Sequence, residues 1–166
     1  MFTRKNFLAA CLLAAPLALS GILPAAAATT VKVTLGDMAA DADLSQNLGM
    51  GMGMHADMGK APLSIRTDVA SVPAGKVIFE VTNTSKELIH EMLIAPVKDA
   101  SAVLPYDGNE GRIDEESSGD LGEVADLDPG KTGTLTLNLK PGIYLLFCNT
   151  PGHYMAGMWT LLTIEG

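Results

Sequence analysis

The sequence predicts an all-β domain, an antiparallel sandwich or barrel. Three observations carry that prediction. From Leu63 onward, short runs rich in β-branched and aromatic residues alternate apolar with polar positions, the period-two pattern of half-buried strands. Turn clusters such as Asp128-Pro129-Gly130 and Lys140-Pro141-Gly142 separate those runs. No stretch of that region sustains a helical period, so sheet must pack on sheet.

The N-terminus stands apart from this pattern. Arg4 and Lys5 precede an apolar run from Phe7 to Leu23, and small residues Ala25 to Ala28 close it. A basic head, an apolar centre and an Ala-x-Ala-like end predict a secretory signal peptide over residues 1–28, cleaved near Ala28. Pro16, Gly21 and Pro24 break the run and argue against a retained anchor, so no stable membrane insertion is expected after cleavage. The expected location is the periplasm or the exterior. Cleavage leaves 138 residues, enough for one domain with a real core. It also leaves nine basic residues against 19 acidic ones, a net charge of −10. That charge disfavours nucleic acid and anionic lipid and is compatible with a basic docking partner.

The elements follow in order. Val31 to Leu35 alternates and reads as a first strand. Residues 36–62 hold Asp, Ala and Gly and the run Gly49-Met50-Gly51-Met52-Gly53-Met54-His55. They read as a flexible, mostly exposed insertion, with room for one helical turn between Asp41 and Leu48, so residues 29–62 comprise a strand plus this insertion. The core of the domain is expected over 63–166. Strands are predicted at Leu63–Thr67, Lys76–Asn83, Leu88–Ile94, Leu121–Ala125, Thr132–Leu139, Ile143–Cys148 and Met158–Glu165, with a turn at Val72–Gly75. The long polar stretch 98–119 reads as a loop that need hold no more than a short helix.

Chemistry concentrates near the C-terminus. Cys11 leaves with the signal, so Cys148 is the one cysteine of the mature chain. An unpaired thiol in an oxidising compartment must be buried, reactive or metal-bound. Its neighbours favour the metal: Cys148-Asn149-Thr150-Pro151-Gly152-His153-Tyr154-Met155-Ala156-Gly157-Met158 places a thiolate, an imidazole and a thioether on one loop between two strands. Two histidines and a cysteine with a weak axial methionine make the type 1 copper arrangement. The second histidine must come from elsewhere. His55 lies in the insertion, whereas His90 lies on a strand among Leu88, Ile89, Leu93 and Ile94. Met158 is the expected axial ligand, with Met155 as its rival.

These residues resemble the cupredoxin (blue-copper) family from about Leu63 to Ile164. The resemblance rests on a histidine after a polar loop, Asn83 to His90, and on Tyr-x₃-Cys-x₄-His-x₄-Met from Tyr144 to Met158. The last two spacings are most similar to the rusticyanin and sulfocyanin branch. The resemblance implies a Greek-key sandwich and one copper ion held by His90, Cys148, His153 and Met158. It also implies a monomer exchanging single electrons with a redox partner protein, rather than an enzyme. The electron port it implies is an exposed edge of His153, ringed by Pro151, Met155 and Leu88. Where many family members have Asn or Ser after the first histidine, this chain has Glu91. Strand alternation predicts that Glu91 points away from His90, toward solvent.

The methionine run is a separate signal. Four of nine methionines fall between Met50 and Met58. Thioethers on a flexible loop suit Cu(I), so Met50, Met52, Met54, His55 and Met58 are candidates for an auxiliary Cu(I) site. Such a site would make the protein a copper chaperone or resistance protein with a copper-delivery partner.

Overall fold

Val31, Val33 and Leu35 are buried and Lys32 and Thr34 between them are exposed, which makes β1 (Thr29–Asp37) a strand with one apolar face. The computed structural model describes residues 27–37, 43–45, 47–52, 58 and 61–166. The predicted signal segment lies outside them apart from Ala27 and Ala28. β1 begins at the residue after the expected cleavage point.

The remaining elements are β2 (Leu63–Thr67), β3 (Ser71–Pro73), β4 (Gly75–Asn83), β5 (His90–Val97), β6 (Tyr106–Asp107), β7 (Arg112–Ile113), α1 (Glu115–Ser118), β8 (Glu123–Leu127), β9 (Thr132–Leu139), β10 (Gly142–Phe147) and β11 (Trp159–Glu165). One sheet has the order β2-β1-β4-β9 and the other β3-β11-β10-β5-β8, with β6 and β7 forming a separate ribbon. Among the described residues no helix is long and apolar enough to cross a membrane.

The all-β class is as expected, but the sheets are mixed rather than purely antiparallel. β1 runs parallel to β4, and β3 parallel to β11. A parallel pair needs a long crossover, which residues 38–74 supply between β1 and β4. The predicted turn at Val72–Gly75 instead contains β3, a short edge strand where Pro73 is tolerated.

Strand β5 also runs through Pro96 to Val97, past the predicted end at Ile94. Its Ile94 N–H and C=O bond Gly122 and Leu121. Two residues later the ring nitrogen of Pro96 faces the same side, beyond the paired end of β8, so its missing N–H breaks no ladder bond.

The two sheets enclose a main core that includes Val33, Phe79, Met92, Ile94, Leu146 and Leu162. A second cluster, with Met50, Leu93, Leu104, Ile113, Leu145, Phe147 and Tyr154, covers the outer face of the second sheet. Strands β5 and β10 are therefore buried on both faces. This double burial positions the site.

Candidate metal centre

Alternation along the two doubly buried strands sorts their side chains. On β5 and β10 and just beyond, Met92, Ile94, Tyr144, Leu146 and Cys148 face the main core, while Leu93, Ala95, Leu145 and Phe147 face the second cluster. Phe147 pairs with Leu93 across the ladder, so the end of β10 brings Cys148 beside the start of β5. His90 Nδ1 and His153 Nδ1 lie 3.2 Å apart, and His153 Nδ1 is 3.4 Å from Cys148 Sγ. The rings of the two histidines meet edge to face with centroids 5.0 Å apart. One donor atom from each of these three buried residues falls within 4.8 Å of the others.

The loop between β10 and β11 is held by its own backbone. His153 N–H donates to Thr150 O, Met158 N–H to His153 O and Cys148 N–H to Met158 O, at 3.0, 3.0 and 3.1 Å. Gly152 and Gly157 take positive φ values of 80° and 91°, which a side chain would strain. At Gly157 an added Cβ would also stand 2.8 Å from Cβ of Ala61.

Met158 is fully buried in the main core with Cys148. Met155 packs instead on the second cluster. Its Sδ lies 2.9 Å from where a Cβ on Gly49 would stand. Of the two sulfurs, it is Met158 that shares the side of Cys148.

Burial sets the protonation of the donors. Burial, then the neighbouring His90 and Arg112, lowers the His153 pKa to about 4, so its imidazole is neutral at pH 7. Burial also lowers that of His90, against the pull of Asp37. Burial pushes the Cys148 thiol up to about 11. Two groups are placed to stabilise the sulfur as thiolate: the Glu91 N–H donates to Sγ at 3.5 Å, and Thr150 Oγ1 lies 3.4 Å away. A buried cysteine sulfur that gives up its proton on binding, two neutral imidazoles and a thioether buried in the same cluster are the donor set that a type 1 copper ion takes, and the residues fit it.

Several expectations need correction. Glu91 does point away from His90, but it is 6 % exposed rather than solvated. The opposite face of β5 is itself covered, and the nearest cation, Arg112 Nη1, is 4.0 Å from Glu91 Oε1. Burial raises the Glu91 pKa to about 7; Arg112 opposes this, and Glu123, Asp126 and Glu115 add to it.

His153, expected to present an exposed edge, is 4 % exposed. Leu44 lies against Gly152, and Leu48, Met58 and Ala61 lie against Gly157, so these residues of the insertion cover the ligand loop. Nor is the insertion mostly exposed throughout. Leu48 N–H bonds Met155 O, Trp159 Nε1 donates to Leu48 O, and Met50 is fully buried in the second cluster. Met52 is half-buried and Met58 exposed. Met54 and His55 lie outside the described residues.

Three residues that organise the site were not among those singled out from the sequence. Asn83 donates to Leu88 O and Leu127 O and accepts from Ser85 N–H, which shapes the loop leading to His90. Asn149 bonds both backbone groups of Ile113 and tethers the ligand loop to β7. Asp37 approaches His90 from β1. Asx chemistry in a loop hints at the first; the other two depend on long-range folding.

No protein-family model and no curated protein matches this sequence. Solved structures do match. The chain is similar to reduced auracyanin from the photosynthetic bacterium Roseiflexus castenholzii, at 19 % identity over 83 % of this chain and 98 % of that one, with a TM-score of 0.50. It is also similar to rusticyanin from Thiobacillus ferrooxidans, at 18 % identity over 82 % and 78 %, TM-score 0.50. An azurin from the obligate methylotroph Methylomonas sp. strain J aligns at 18 % identity over 86 % and 100 %, TM-score 0.51. The fold is therefore that of the cupredoxins.

Proposed function

We propose that this chain is an exported one-electron carrier with a single type 1 copper ion. Its strong ligands are His90 Nδ1, His153 Nδ1 and Cys148 Sγ, and Met158 is the weak axial ligand. The observation that carries the reading is the convergence of three buried donor atoms within 4.8 Å, on a loop and strand that pair through the same sheet. Rusticyanin, one of the similar structures, is described as a copper protein. Copper held here would supply exchange of one electron between Cu(II) and Cu(I).

The chain's own part is to hold the donors and exclude water. Backbone bonds fix the loop, and double burial of β5 and β10 resists movement when the charge at the site changes. Four protein donors leave no position for a substrate, which favours a carrier over an enzyme. The N-terminal pattern of residues 1–28 supports export. The excess of acidic residues favours a redox partner with a basic docking face. Copper delivery finds less support, because Met50 is enclosed in the core rather than offered on a mobile loop.

Visible and electron paramagnetic resonance spectra of the Cu(II) protein test the proposal. A thiolate-to-copper band is expected, and Cys148→Ser should abolish it. Colour that survives the substitution would overturn the ligand assignment.

A further inference from the structure

We propose that Asp37 is a positioning residue for this centre: its carboxylate holds His90 in the tautomer protonated on Nε2, which leaves the Nδ1 lone pair for the metal. The part that concerns the metal rests on the copper reading above; the tautomer itself does not.

The two ring nitrogens of His90 face different surroundings. Nδ1 faces His153 Nδ1 and the Cys148 side of the site. Nε2 lies 3.7 Å from Asp37 Oδ2. Both Nε2 and Oδ2 are buried, and neither has a hydrogen-bond partner within 3.5 Å, so each is the polar group that the other faces. The Asp37 side chain is 11 % exposed, so water screens the pair little. With the proton on Nε2, a donor faces an acceptor. With the proton on Nδ1, a bare lone pair would face a carboxylate, and the metal-facing nitrogen would be blocked.

The approach is built into the fold. Asp37 is the last residue of β1 and pairs with Leu63. Two residues earlier, Leu35 O accepts both Thr84 N–H and Thr84 Oγ1–H at 2.8 Å. Thr84 opens the loop that leads to His90, and Asn83 braces the same loop. The strand end and the ligand are thus tied together at both sides of the contact. A carboxylate behind a ligating imidazole fixes ring orientation and raises ligand basicity. The negative charge of Asp37 then favours Cu(II) over Cu(I).

Nitrogen-15 NMR of the imidazoles, on the metal-free and Cu(I) proteins, reads the tautomer; voltammetry of the copper protein reads the potential. Wild type should show His90 protonated on Nε2 in both forms. Asp37→Ala should give mixed tautomers in the metal-free protein. It should also weaken the Cu(II)-over-Cu(I) preference about tenfold or more, an upward shift of roughly 59 mV. Asp37→Asn, which keeps an acceptor oxygen, should retain the tautomer and give part of the shift. Metal-free wild type with His90 protonated on Nδ1 overturns the inference without any variant. So does Asp37→Ala that leaves the tautomer unchanged. An altered tautomer with an unmoved potential overturns the charge effect. Wild type that binds no copper overturns the proposed function instead, and the metal-free tautomer still decides this inference.

Discussion

His90 Nδ1 and His153 Nδ1 stand 3.2 Å apart across 63 residues of chain. The contact is a hydrogen bond when one ring carries its proton on Nδ1, so both buried nitrogens are satisfied in the metal-free protein. In the proposed copper protein the same two nitrogens and Cys148 Sγ, 3.4 Å from His153 Nδ1, would turn to one shared cation. The protonation states of these groups define the first prediction.

Metal binding should release one proton. In the metal-free protein the Cys148 thiol, held near 11, is protonated at pH 7, while His153, near 4, is already neutral. Only the thiol must lose a proton to become a ligand. Cu(I) affinity should therefore fall about tenfold for each unit that pH drops from 8 to 6. Calorimetry in buffers of different ionisation enthalpy counts the proton. Cys148→Ser should lose both the release and most of the affinity.

The buried Glu91 should make the metal-free protein less stable as pH rises. Its folded pKa, near 7, is above the ordinary 4.5. The folded state therefore holds a proton that the unfolded state has released. That contribution is intact below pH 4.5 and is lost as pH climbs to about 7. His153 acts in the opposite sense: its folded pKa is lowered, so stability falls as pH drops below 6.5. Glu91→Gln removes the first effect alone. Its stability relative to wild type should rise between pH 4.5 and 7.5 by on the order of 1–3 kcal/mol. Denaturant unfolding at several pH values measures the difference, and a flat difference would contradict the burial assigned to Glu91.

The two C-terminal methionines should separate cleanly. Met158→Leu keeps the volume of the core, so stability should change by less than about 1.5 kcal/mol. As the proposed axial ligand Met158 would help hold Cu(II), so on its loss the potential should rise and the visible spectrum should change. Met155→Leu, on the opposite face of the loop, should leave the spectrum alone. A spectrum that responds to Met155→Leu and not to Met158→Leu would reverse the axial assignment.

Period-two alternation and Pro-Gly turns were enough to read the all-β class and most of the strands. The Cys148–Met158 segment showed a compact donor set, because a short loop keeps its donors together whatever the rest of the chain does. Alternation also implied that Glu91 points away from His90. It could not show that the far face of β5 is covered, because a pattern reports direction and says nothing of what packs there.

Only the tertiary structure decided the rest. Strand pairing set His90 beside Cys148 and brought Asp37 behind it. Leu44, Leu48, Met58 and Ala61 pack over the ligand loop, where His153 is buried, and Met50 is drawn into the core. Helix and strand periods act between near neighbours in sequence, whereas these contacts join segments tens of residues apart. They exist because two sheets must bury their apolar faces together, and that requirement belongs to the whole chain.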